Sequence, residues 1–194
     1  PFAAKKIDAF DEMLRLGTKV FITSLSGVDY SETIALSKRL TKEGMCPVPH
    51  IAARNTPNKA FLDDLVCQLV DEAGIEEVLI IGGSVDSPIG DFLNTMQILE
   101  TGIVDKYAIQ RVGIAGHPEG SPVISDEEIR KSLIWKNGFA DRSNAELYIV
   151  TQFCFEAEPI IAWERAIRAE GNQLPIRVGI PGIASIKTLM NYAK

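Results

Sequence analysis

Six short runs rich in β-branched residues recur along the chain: Val20–Leu25, Val48–Ala52, Val78–Ile81, Arg111–Ala115, Leu147–Phe153 and Ile176–Ile180. Their starts lie about 28–36 residues apart. That is too far for hairpins and the right distance for a strand, a helix and two turns in each interval. Several runs are apolar almost throughout, which is how a strand reads when both faces of a parallel sheet are covered. The segments between them have helical periodicity with its usual punctuation. Asp29-x-x-Glu32 and Ser125-x-x-Glu128 each read as a capping box opening a helix. Thr56-Pro57 places a proline at the first position of another. Gly44, Gly74, Gly102 and Gly171 fall just past helix ends, where a left-handed cap favours glycine. Residues Ala4–Leu16 and Ser185–Ala193 complete the pattern as a first and a last helix.

Repeated βα units permit two architectures, a doubly wound open sheet or a closed (β/α)8 barrel. The turn-forming and polar residues favour the barrel, because they follow every strand: SLSGVD, ARNTPN, GGSVDSP, GHPEGSP, QFCFEAEP and PGIAS. The glycine-capped turns that lead back into the strands are chemically bland. A barrel builds its site from the loops at the carboxyl ends of all its strands, whereas an open sheet concentrates chemistry at one switch point. Neither GxGxxG nor GxxxxGK[ST] occurs. Six strands are two short of a closed barrel. The expectation is therefore an α/β chain, a single TIM-barrel domain over residues 1–194 that is incomplete and lacks the first strand and the last βα unit.

Composition narrows the function classes. Net charge is −6 over 194 residues, which argues against a nucleic-acid or anionic-membrane surface. No apolar run approaches the roughly 20 residues of a membrane span, and no signal-peptide pattern opens the chain. The three cysteines, Cys46, Cys67 and Cys154, are odd in number and scattered, which suggests reduced thiols in a cytoplasmic protein and no metal site. Two histidines and a glutamine stand at strand ends: His50, His117 and Gln152. Each alone reads most simply as a packed or capped polar residue. Their recurrence at strand ends raises the case for a site, and Gly116 and Gly120 around His117 read as room for a ligand to approach the backbone.

The run YIVTQFCF (148–155) resembles the threonine-glutamine-aromatic strand of the methylenetetrahydrofolate reductases. VGIAGHPEGSP (112–122) is similar to that family's strand ending in a Pro-Glu loop, PHIAARN (49–55) to its histidine-bearing strand, and IRVGIPGIASIKTLMNYA to a later strand and helix. The resemblance implies a (β/α)8 barrel that reduces 5,10-methylenetetrahydrofolate to 5-methyltetrahydrofolate through bound FAD, with NADH or NADPH as reductant. It implies Thr23, Ser24, His50, Ser84, Asp86, His117 and Glu119 as cofactor-binding positions, and Gln152 and Phe153 as substrate-binding positions. An amide such as Gln152 offers a donor and an acceptor to the edge of a pterin. The family's general acid belongs to a first strand outside this sequence, so no catalytic acid is assigned. Gly82 and Ser84 stand where the family has an arginine and an aspartate, His117 where it has a tyrosine, and Ser121 where it has a histidine. A folate substrate and a homo-oligomer are expected partners. The alternative is a folate-binding or methyl-group-handling barrel that has lost flavin reductase activity; a barrel enzyme using His50 and His117 as acid and base is a third reading.

Overall fold

The computed structural model describes residues 4–24, 29–83, 85 and 87–182. It contains β1 (Lys19–Ile22), α1 (Tyr30–Lys42), β2 (Cys46–Ala52), α2 (Lys59–Ala73), β3 (Glu77–Ile81), α3 (Thr95–Glu100), α4 (Ile103–Lys106), β4 (Arg111–Gly116), α5 (Asp126–Ala140), β5 (Glu146–Phe153), α6 (Ala157–Ala169) and β6 (Ile176–Gly179). The strands form one six-stranded sheet in the order β1-β2-β3-β4-β5-β6. The pairs β1–β2, β2–β3, β3–β4 and β5–β6 are parallel. Sequential parallel strands with a helical connection after each are the construction of an incomplete (β/α) barrel. No helix among the described residues is long and apolar enough to cross a membrane.

The elements follow local chemistry closely. Gly44, Gly74, Gly102 and Gly171 all have positive φ, between 63° and 94°, so the turns that follow α1, α2, α3 and α6 use the left-handed conformation a glycine adopts without strain. Ser125 and Glu128 form a true capping box: the Ser125 N–H donates to Glu128 Oε2 at 3.1 Å, and the Glu128 N–H to Ser125 Oγ at 3.3 Å. Asp29 caps α1 by accepting from Ser31 N–H, but the Glu32 carboxylate pairs with Lys5 instead of closing the box. The proline of Thr56-Pro57 lies before the helix, not in it. Asn58 is the N-cap, accepting from Phe61 N–H at 2.9 Å, and α2 begins at Lys59.

The segment expected as a helix over Ala4–Leu16 is a single 3-10 turn, Ala4–Lys6, followed by turns. Its carbonyls find partners elsewhere. The Arg39 guanidinium of α1 takes the oxygens of Ala4, Ile7 and Asp8, and the Phe10 N–H donates to Glu43. A chain whose carbonyls are claimed by a neighbouring arginine has no need of an i→i+4 ladder. The last expected helix, Ser185–Ala193, lies outside the described residues.

By contact, the chain divides into two compact units, Pro1–Ile114 with Ala140–Leu147 and Ala115–Phe139 with Tyr148–Lys194. In the first, Ile22 packs with Phe10, Leu40 and Met45 on the helix side of the sheet. Strand alternation then turns Lys19 and Phe21, Cys46, Val48 and His50, Glu77 and Leu79 to the opposite face. That face is layered along the strands. At the amino ends Glu77, 4% exposed, accepts from both Lys19 Nζ and Arg111 Nε. Val48 and Leu79 form a buried apolar layer above it, and His50 stands toward the carboxyl ends.

Pro47 and Pro49 sit inside β2, where missing donors interrupt a ladder. The Cys46 N–H donates to Thr18 at 2.9 Å, so alternation directs the two prolines toward β3. The ladder with β3 runs only from His50 to Ala52.

In the second unit the Arg177 guanidinium lies 3.5 Å from the centroid of the Tyr148 ring. Thr151 Oγ1 accepts the Gly179 N–H at 2.9 Å. A small cleft of about 110 Å³ between α5 and α6, lined by Leu133, Ile134, Asn137 and Ile167 among others, contains none of the candidate site residues read from the sequence.

Candidate functional site

Among the described residues, Ser24, His50, His117 and Gln152 lie at or just past the carboxyl ends of their strands. In the first unit His50 is the centre. Its imidazole is flanked by Phe21 in an edge-to-face contact, with centroids 6.0 Å apart. Neither Nδ1 nor Nε2 has a hydrogen-bond partner although both are buried. Burial pushes its pKa down to about 4, so the ring is neutral near pH 7 and offers one donor and one acceptor. Ser24 donates to the Tyr30 hydroxyl at 3.3 Å, and that hydroxyl also accepts the Ala52 N–H at 3.4 Å. Thr23 is exposed. Ser84 and Asp86 lie outside the described residues.

Two adjacent loops of this unit are tied together. The Arg54 N–H donates to Gly82 O, Ile89 N–H to Arg54 O, and Asp91 N–H to Pro57 O, each at 2.9 Å. The Arg54 side chain adds Nε to Leu93 O at 3.1 Å and Nη1 to Val85 O at 3.4 Å. Gly90 is pressed so closely on this ledge that a Cβ there would stand 1.8 Å from Pro57 O. Gly83, with φ of 96°, turns the chain beside Asn55, whose Oδ1 is buried and unpartnered.

In the second unit His117 follows β4 and is half-buried. Burial, reinforced by the nearby Lys136 ammonium, lowers its pKa. Lys136 is 7% exposed, and no carboxylate among the described residues comes within ion-pair distance. Burial without a counter-charge drops its pKa to about 8. A buried ammonium near an imidazole, with no carboxylate among the described residues to pair it, is a costly arrangement. The sequence reading missed Lys136. The signal was available: it falls on the inward face of an amphipathic helix, in line with the buried Phe139, where a lysine is expensive unless it has work to do.

Glu119 is exposed; burial, and after it the Glu119 carboxylate, raises the pKa of the Cys154 thiol. Gln152 is exposed, and Phe153 meets Phe155 edge-to-face with centroids 5.8 Å apart. One expectation is corrected. A Cβ on Gly116 would stand 2.5 Å from Ile149 Cγ2 and 3.0 Å from the Trp163 ring, so that glycine makes room for protein packing, not for a ligand. Gly120, with φ of 75° and only Asp126 Oδ1 near its Cβ position at 3.6 Å, is there for the turn.

Fold and site together define a βα-barrel protein with polar chemistry at its strand carboxyl ends. The family model for methylenetetrahydrofolate reductase matches residues 5–194, and the chain belongs to that family. It is similar to methylenetetrahydrofolate reductase 2 of Saccharomyces cerevisiae, 31% identical over 90 residues that make up 46% of this chain and 14% of the yeast protein. It is also similar to methylenetetrahydrofolate reductase 1 of Schizosaccharomyces pombe, 34% identical over 84 residues, 43% of this chain and 13% of that protein. The match thus spans a small part of either relative.

Proposed function

We propose that the chain is a flavin-dependent barrel that reduces 5,10-methylenetetrahydrofolate to 5-methyltetrahydrofolate, with FAD as the bound cofactor and NADH or NADPH as reductant. The observation that carries this reading is His50, a half-buried, neutral imidazole toward the carboxyl end of β2 whose two ring nitrogens are buried and unpartnered. A buried polar group without a partner is costly, and a flavin edge supplies the missing one. His117 is a further cofactor-binding position that the family resemblance implies. The bound flavin would supply hydride transfer; the protein's part is to hold and orient it. His50 would hydrogen-bond the flavin, the exposed amide of Gln152 would meet the pterin with Phe153 beside it, and Thr23, Ser24, Ser84, Asp86 and Glu119 would complete the cofactor contacts. The physiological setting proposed is cytoplasmic, with a folate substrate.

A second reading is favoured by one observation. Gly82 carries no charge where the family has an arginine, and nothing within 4 Å would obstruct a side chain there. A barrel stripped of that cation would keep folate and release flavin. Titration with FAD, followed by quenching of flavin fluorescence, separates the two. Saturable binding that weakens about tenfold or more in His50→Leu supports the flavoprotein. Folate binding with no FAD binding would establish the second reading.

A further inference from the structure

We infer that Asn55 is a ligand-contacting residue, its carboxamide oxygen held ready to accept a hydrogen bond from an N–H or O–H of the bound cofactor; this rests on the flavin reading above. The loop Arg54-Asn55-Thr56-Pro57-Asn58 shows why. Every other polar side chain in it has a structural bond. Arg54 holds the carbonyls of Leu93 and Val85. Thr56 Oγ1 donates to Ala52 O at 2.9 Å, and Asn58 Oδ1 caps α2. Asn55 Oδ1 alone is buried without a partner. Its neighbours are fixed. A Cβ on Gly83 would lie 3.2 Å from that oxygen, and the backbone bonds from Arg54 to Gly82 and from Ile89 to Arg54 pin both loops. The other buried side chain of β2 and its loop with unpartnered polar atoms is His50, five residues earlier. Two orphaned polar groups leaving one strand end are better explained by a shared ligand than by two independent folding costs.

The ligand chemistry is a hydrogen-bond donor within a planar or polyol group, which both an isoalloxazine imide and a ribityl chain provide. FAD, FMN and riboflavin are the probes. In the full-length protein, Asn55→Leu is nearly isosteric and removes the acceptor, whereas Asn55→Asp keeps it. We expect Asn55→Leu to weaken FAD binding about tenfold and to melt, without ligand, no lower than wild type, because no hydrogen bond of the free protein is lost. Asn55→Asp should retain more affinity than Asn55→Leu. Equal losses for FAD, FMN and riboflavin would assign the contact to the ring or ribityl part they share; a loss confined to FAD would overturn that assignment. Unchanged FAD affinity in Asn55→Leu, or a lower melting temperature with affinity intact, would overturn the inference. If wild type binds none of the three flavins, the flavoprotein reading fails by itself. The melting temperature then still decides on Asn55, since an oxygen held unpaired for some ligand costs stability and Asn55→Leu should melt above wild type, while a lower value would make it structural.

Discussion

His50 ties a chemical state to a position. In the unfolded chain its imidazole titrates near 6.5, and in the fold near about 4. Between those values the unfolded state binds the proton and the folded state does not. Stability is therefore full above pH 6.5, falls as pH drops through that window and levels off below about 4, a loss on the order of 3 kcal/mol. His50→Phe should remove this part of the acid slope; equilibrium urea unfolding at pH 7 and pH 4.5, compared with wild type, measures it. Gly116 carries a different prediction at the same scale. Because its missing Cβ leaves the space held by Ile149 and Trp163, Gly116→Ala should lower the melting temperature of the ligand-free protein by several degrees, equivalent to about 1–3 kcal/mol of overpacking. Flavin affinity at a temperature where it remains folded should be little changed. The opening of the Pro-Glu loop at Gly116 is thus a packing feature.

At the scale of elements, the loops after β2 and β3 form one ledge, and Arg54 holds it. Arg54→Lys keeps the charge but cannot reach two carbonyls with a planar fork. Amide exchange over residues 82–94 should accelerate in this variant while β2 and α2 keep their protection; uniform acceleration across the first unit would show that the arginine serves global stability instead. Glu77 makes the opposite kind of element contact, at the amino ends of the strands. It is a buried carboxylate shared by Lys19 of β1 and Arg111 of β4. Glu77→Ala removes the acceptor of both and should cost about 3 kcal/mol of unfolding free energy, at the lower end of what a broken buried pair costs. Chemical denaturation with unchanged m-value would confirm that the loss is energetic and not a change of fold.

For the whole molecule, β1 and β6 stand at the two ends of the described sheet. Val178 of β6 is 45% exposed and Phe21 of β1 is 38% exposed. Strand ends with apolar side chains invite association. The 194-residue chain by itself is expected to form a homo-oligomer through such an end, and Val178→Lys to shift it toward monomer in sedimentation equilibrium. A wild-type chain that stays monomeric as its concentration is raised would contradict this.

The sequence alone determined the six strands to within a few residues, their parallel order and the glycine caps, because these depend on local periodicity and on backbone conformations that one residue type prefers. It also pointed to His50, since a histidine ending an apolar strand is visible without coordinates. Three things required tertiary structure. Arg39 converted an expected helix over Ala4–Leu16 into turns, by taking carbonyls that an isolated helix would have kept. Lys136 stands on a helix face whose periodicity the sequence shows, but its want of a counter-charge among the described residues could be seen only in the fold. Gly116 changed its meaning because Trp163, 47 positions along the chain, is what fills the space a side chain would need. Periodicity and caps act over a few residues and are written locally. Charge compensation and steric exclusion depend on which distant segments meet, and only the folded chain decides that.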